Sequence, residues 1–143
     1  MNNSSNLSAA TGRFLMAILF LLSGLGKIAA PAATQGFIAS VGLPAPLVAY
    51  LGATTIEVAG GLLLLLGYRT RLVAVVLGAF TVLTAIFFHH NFGDQNQMIH
   101  FFKNIAITGG LLQIIAFGAG AYSLDSRRGI APTGNFRTAA HVG

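Results

Sequence analysis

Residues 46–67 read PLVAYLGATTIEVAGGLLLLLG. About 20 apolar residues in helical conformation cross the roughly 30 Å hydrocarbon core of a bilayer. This stretch supplies that length with a single ionisable acid, Glu57. A proline opens it and Gly67 closes it, as helix boundaries require. Three further apolar runs flank it: residues 13–28 (RFLMAILFLLSGLGKI), 72–92 and 98–122. Runs of this kind leave no polar face of the sort an amphipathic soluble bundle displays. The short-range alternation of a β-barrel is also absent. The fold class that follows is an all-α membrane protein, a four-transmembrane-helix bundle. The first run carries Lys27 and no small-residue cleavage site, so it is read as a retained span rather than a signal peptide.

Composition agrees. Of 143 residues, 55% are hydrophobic and 8% charged, and the mean hydropathy is +0.76. Soluble domains carry about 25% charged residues, so a water-facing surface cannot be covered. That excludes a cytosolic enzyme, a disordered chain and a nucleic-acid binder. The net charge of +5 arises from 8 Lys and Arg scattered along the chain against 3 acidic residues, which is no basic groove. There is no cysteine, hence no disulfide, thiolate nucleophile, Cys metal site or dithiol relay.

The chain divides into a polar, mobile N-terminal tail (1–12), a membrane domain (13–125) and a flexible C-terminal tail (126–143). Residues 31–43 predict a short interfacial helix in the first outer loop, before Pro44 and Pro46 start the second span. Arg13, Arg69, Arg71, Arg127, Arg128 and Arg137 fall on one side; Lys27 and Lys103 fall on the other. The excess of positive charge in short loops marks the cytoplasmic side, which puts both termini in the cytoplasm of a multi-pass protein.

Ionisable groups within a span cost about 2.5–3.5 kcal/mol at mid-bilayer, so each needs a reason. Glu57 lies 11 residues into the second span, roughly 16 Å at 1.5 Å per residue, close to the midplane. Tyr50, Thr54, Glu57 and Gly61 share its helix face, which should point into the bundle. Asn96, His100, Asn104 and Thr108 recur every four residues in the fourth span, with Lys103 beside them. Ser23 and Lys27 are one turn apart at the outer end of the first span, and His89 and His90 close the third. The topology therefore gathers Lys27, His89, His90, Asn96, Gln97, His100, Lys103 and Asn104 in an outward-facing polar cavity, with Glu57 beneath. Two roles remain open for Glu57: ion-pair partner of Lys103 or Lys27, or a proton-handling or ligand-binding group. Lys27 is expected to snorkel to the outer headgroups. No metal site is expected, because neither His89 nor His90 has a ligand partner one turn away. Phe87, Phe88, Phe92, Phe101 and Phe102 read as core and lipid contacts that would also suit a quinone headgroup. Gly24, Gly60, Gly61, Gly109 and Gly110 mark close helix packing.

The pieces GRFLMAILFLLSGLGKI (12–28), FIASVGLPAP (37–46), EVAGGLLLLLGYRTRLVA (57–74), FHHNF (88–92), NQMIHFFKNIAITGGLL (96–112) and YSLDSRR (122–128) resemble the DoxX family of small bacterial membrane proteins. The resemblance implies a four-helix protein of the bacterial inner (plasma) membrane. It carries over Lys27, Glu57, Arg69, Arg71, His89, His100, Lys103 and Asn104, with no established active site. It also implies association with redox systems: thiosulfate:quinone oxidoreductase, a membrane complex protecting against oxidants, or the maturation of partner enzymes. Without cysteines, electrons would have to pass through a bound quinone or a protein partner in a membrane redox complex. Three functions follow as expectations: a membrane subunit of a redox or quinone-linked system, a non-catalytic assembly or scaffold factor for a partner enzyme, and a small transporter.

Overall fold

The computed structural model describes residues 3–129. Its helices follow in the order α1 (Asn3–Ala29), α2 (Pro31–Ser40), α3 (Pro46–Leu66), α4 (Thr70–Phe88), α5 (Gln95–Phe117) and α6 (Leu124–Arg127), with no strand among the described residues. α1, α3, α4 and α5 are each long and apolar enough to span a bilayer.

The boundaries have local causes. α2 and α3 both begin with proline in the first turn, where its missing N–H costs nothing and its fixed φ suits a helix start. Gly67 ends α3 at φ 66°, a left-handed conformation that closes the last turn through Tyr68 N–H to the Leu63 carbonyl at 3.0 Å. Asp94 starts α5 by accepting from the N–H groups of Asn96 and Gln97. That cap moves the start of this span to Gln95, earlier than hydropathy alone places it, and Gly118 (φ 81°) ends the helix before the expected 122. α4 stops at Phe88, so the apolar run through Phe92 belongs partly to the connection. Residues 3–12, expected as a mobile tail, are the first turns of α1: their polar composition places them outside the apolar span without breaking the helix. Of the expected C-terminal tail, 126–129 are described, with part of α6 among them; 130–143 lie outside the described residues.

α1 packs along α3, and α4 along α5, as two close antiparallel pairs. The pairs meet where Gly60 faces Leu77 and Gly110 faces Met16. Around these points Ala17, Phe20, Leu64, Val73, Ala74, Leu77 and Leu111 form the buried core. It lies toward the end of the bundle that carries α6. Elsewhere, large apolar side chains face outward: Val48 is 69% exposed, Leu22 65% and Phe102 60%. Such a surface is insoluble in water and ordinary in lipid, which makes this a membrane-embedded protein.

Candidate functional site

At the opposite end, which carries α2, the two helix pairs enclose a cavity of about 760 Å³. Its deepest charged group is Glu57. The carboxylate is nearly buried, with the residue 5% exposed. It is held by Lys27, whose Nζ lies 2.8 Å from Oε2 and 2.9 Å from Oε1. Ser23 donates to Oε1 at 3.1 Å and accepts from Lys27 Nζ at 2.9 Å. Gly24 makes this closeness feasible. A Cβ there would sit 2.6 Å from Val58 Cγ2 and 3.2 Å from Glu57 Cβ, so any side chain would push α3 away. Lys27 therefore turns inward rather than snorkelling to headgroups. The physical reason is that Glu57 would otherwise be a buried, uncompensated charge.

The walls are amphipathic. Leu19, Phe20, Phe37, Phe80, Leu83, Phe87 and Phe88 supply apolar surface, while Thr34, Thr81, Thr84, His89, Lys103 and Asn104 supply polar groups. The hydroxyls of Thr81 and Thr84 donate back to the carbonyls of Leu77 and Thr81, which leaves their oxygens able to accept. Of the residues expected in the cavity, Lys27, Glu57, His89, Lys103 and Asn104 line it. His100 stands just behind: its ring stacks on His89 at 5.0 Å, and its Nδ1 is 3.0 Å from Lys103 Nζ. His89 Nδ1 in turn lies 2.9 Å from Gln97 Oε1. Asn96 is exposed in the first turn of α5 and does not line the cavity; its backbone is engaged by the Asp94 cap, and one turn of helix separates it from His100. Lys103 sits at the rim and does not reach Glu57. Among the described residues, no three metal-ligating side chains converge.

The contribution of α2 was missed. Ala33, Thr34, Phe37 and Ile38 line the cavity, and the Phe37 ring meets Phe88 of α4 at 5.3 Å. α2 is thus a wall of the site. The signal was present: Thr34, Phe37 and Ile38 recur at helical spacing between two proline boundaries.

A second polar cluster, also unforeseen, ties the α6 end together. Arg13, buried in α1, donates to the carbonyls of Ala119 and, at 2.5 Å, Tyr122. Asp125 accepts from the N–H groups of Arg69 and Thr70, both at 2.8 Å. A carboxylate from α6 thereby caps the N-terminus of α4, where the helix dipole favours negative charge. Burial raises the affinity of the Asp125 carboxyl for its proton, but the Thr70 and Arg69 N–H groups outweigh this and hold it below the ordinary 3.8. A depressed carboxyl stabilises the fold above the ordinary carboxylate range and loses that contribution as pH falls through its folded value. Asp125→Asn should cost about 1–2 kcal/mol at neutral pH and flatten the acid limb of a detergent-solubilised unfolding profile. An unchanged acid limb would contradict the cap.

The chain matches the sequence profile of the DoxX family over residues 8–90, more than half its length. It is 40% identical over 128 residues to Inner membrane protein YqjF of Escherichia coli (strain K12), covering 87% of this chain and 95% of that one. It is 36% identical over 120 residues to Inner membrane protein YphA of the same organism, covering 80% and 86%. A shorter match, 37% identical over 86 residues and covering 60% and 62%, is to a Bacillus subtilis (strain 168) protein named "Putative oxidoreductase CatD". No solved structure matches.

Proposed function

The chain belongs to the DoxX family of integral inner-membrane proteins, and from that premise we propose that it is a small membrane subunit of a redox or quinone-linked system. The observation that carries this is the pairing of Lys27 with Glu57 at the bottom of an aromatic-walled cavity of about 760 Å³. That size falls within the roughly 300–1,000 Å³ of small-molecule sites, and mostly apolar walls with a few convergent polar groups are their usual lining. The donor set fits a quinone: Lys103 and Asn104 offer N–H groups to a carbonyl oxygen, the Lys27–Glu57 pair lies below them, and Phe37, Phe80, Phe87 and Phe88 offer apolar faces to a ring and its tail. A bound quinone would supply two-electron, two-proton chemistry, with electrons from a protein partner. This chain binds and orients the headgroup, excludes water with its aromatic walls, and holds or passes a proton at the Glu57 carboxylate. The oxidoreductase name carried by the Bacillus subtilis relative points the same way.

The inside excess of Arg supports an orientation with both termini in the cytoplasm and the cavity mouth facing outward. A transporter fits less well, because the buried core closes the α6 end of the bundle. A scaffold role draws on Gly109 of α5, where an added Cβ would meet no neighbouring helix within 4 Å among the described residues. The two are separated by one experiment. Gently purified protein, extracted and analysed by mass spectrometry and absorption, should yield a quinone that is depleted in Glu57→Gln and Lys103→Ala. Protein free of quinone and without quinol-dependent activity would contradict the redox role; altered abundance of a co-purifying enzyme in Glu57→Gln would support the scaffold.

A further inference from the structure

The α6 end carries Arg13, Arg69, Arg71, Arg127 and Arg128 against one carboxylate, Asp125. Between the first turn of α4 and the end of α5 lies a pocket of about 150 Å³, lined by Arg69, Thr70, Arg71, Gly118, Ala119 and Asp125. Three features make it more than a patch of surface charge. Thr70 is fully buried, and its hydroxyl lies beside the Asp125 carboxylate without a hydrogen bond of ordinary geometry. The Nε of Arg71 is likewise buried and unpartnered, and its Nη2 makes only a 3.5 Å contact with the Ala116 carbonyl. Asp125 already accepts from two backbone N–H groups and its charge acts on Arg13 and Arg128, so it is committed to the helix end and to those two guanidiniums. Buried donors without partners are costly and rare, and a planar guanidinium is built to bind an oxyanion through two parallel N–H groups.

We infer that this pocket binds a phosphate-type oxyanion, held by the Arg71 fork, the Arg69 guanidinium and the Thr70 hydroxyl. The same chemistry is carried by the headgroup of an anionic phospholipid and by free phosphate. Basic pockets between helix ends at a membrane surface suit the former.

The test uses the full-length protein in a zwitterionic detergent, titrated with short-chain phosphatidylglycerol, phosphatidylcholine or inorganic phosphate and followed by thermal unfolding. Phosphatidylglycerol should raise the midpoint where phosphatidylcholine does not. An equal rise with inorganic phosphate assigns the site to the bare anion; no rise with phosphate assigns it to the lipid. Arg69→Gln/Arg71→Gln should weaken the response about tenfold, whereas Arg127→Gln/Arg128→Gln, which removes the same charge outside the pocket, should shift it less than about twofold. Should the first double variant fail to fold, Arg71→Lys, which keeps the charge and loses the fork, should still weaken binding. Equal losses in the two double variants, or no preference for either anion, would overturn the pocket.

Discussion

Lys27→Met should destabilise the protein by about 3–5 kcal/mol, the cost of leaving a buried carboxylate without its partner. Glu57→Gln should cost clearly less. The asymmetry comes from the unequal burial of the pair: the Glu57 side chain is 6% exposed and the Lys27 side chain 25%. An orphaned Lys27 can extend its ammonium toward the α2 end; an orphaned Glu57 has nowhere to go. Adding Glu57→Gln to Lys27→Met should therefore recover most of the loss, because it removes the stranded charge. Unfolding of the four proteins in detergent gives the double-mutant cycle. Equal costs for the two single variants, or no recovery in the double, would show that the ion pair does not hold this end of α1 to α3.

The second large effect concerns the cavity itself. Ala53 lines it one turn before Glu57 and presents only a methyl group. Ala53→Phe should fill the space between the helix pairs without touching the inner core, and should lower quinone recovered from purified protein more than about tenfold, equivalent to about 1.4 kcal/mol of binding. The unfolding midpoint should change little, because the added ring occupies open volume. Quinone recovery equal to that of the parent protein would place any bound quinone elsewhere.

The four spans were legible because the bilayer imposes a length and a composition on any helix that crosses it, and PLVAYLGATTIEVAGGLLLLLG satisfies both. Glu57 stood out for the same reason: an acid at mid-membrane is too costly to be incidental. Its partner was legible only as a choice between Lys27 and Lys103. Lys27 lies near the end of α1, where headgroups compete for it, and only the closeness allowed by Gly24 decides in favour of Glu57. Hydropathy also could not show that α2 closes one side of the cavity, since Phe37 and Ile38 would be equally at home in an interface. The Arg13 and Asp125 cluster escaped because its members lie far apart in sequence and each reads alone as a terminal charge. Asn96 was placed in the cavity by a four-residue rhythm that runs on into the exposed first turn of α5.

The most direct test of the account uses the absence of native cysteine. Single-cysteine variants Thr84→Cys, in the cavity wall, and Leu64→Cys, in the fully buried core, can be exposed to a membrane-impermeant maleimide in spheroplasts and in inverted inner-membrane vesicles. The account predicts labelling of Thr84→Cys in spheroplasts alone, and of Leu64→Cys in neither. Labelling of Thr84→Cys only from inverted vesicles, or of Leu64→Cys as readily as Thr84→Cys, would contradict a polar cavity that opens outward above a sealed core.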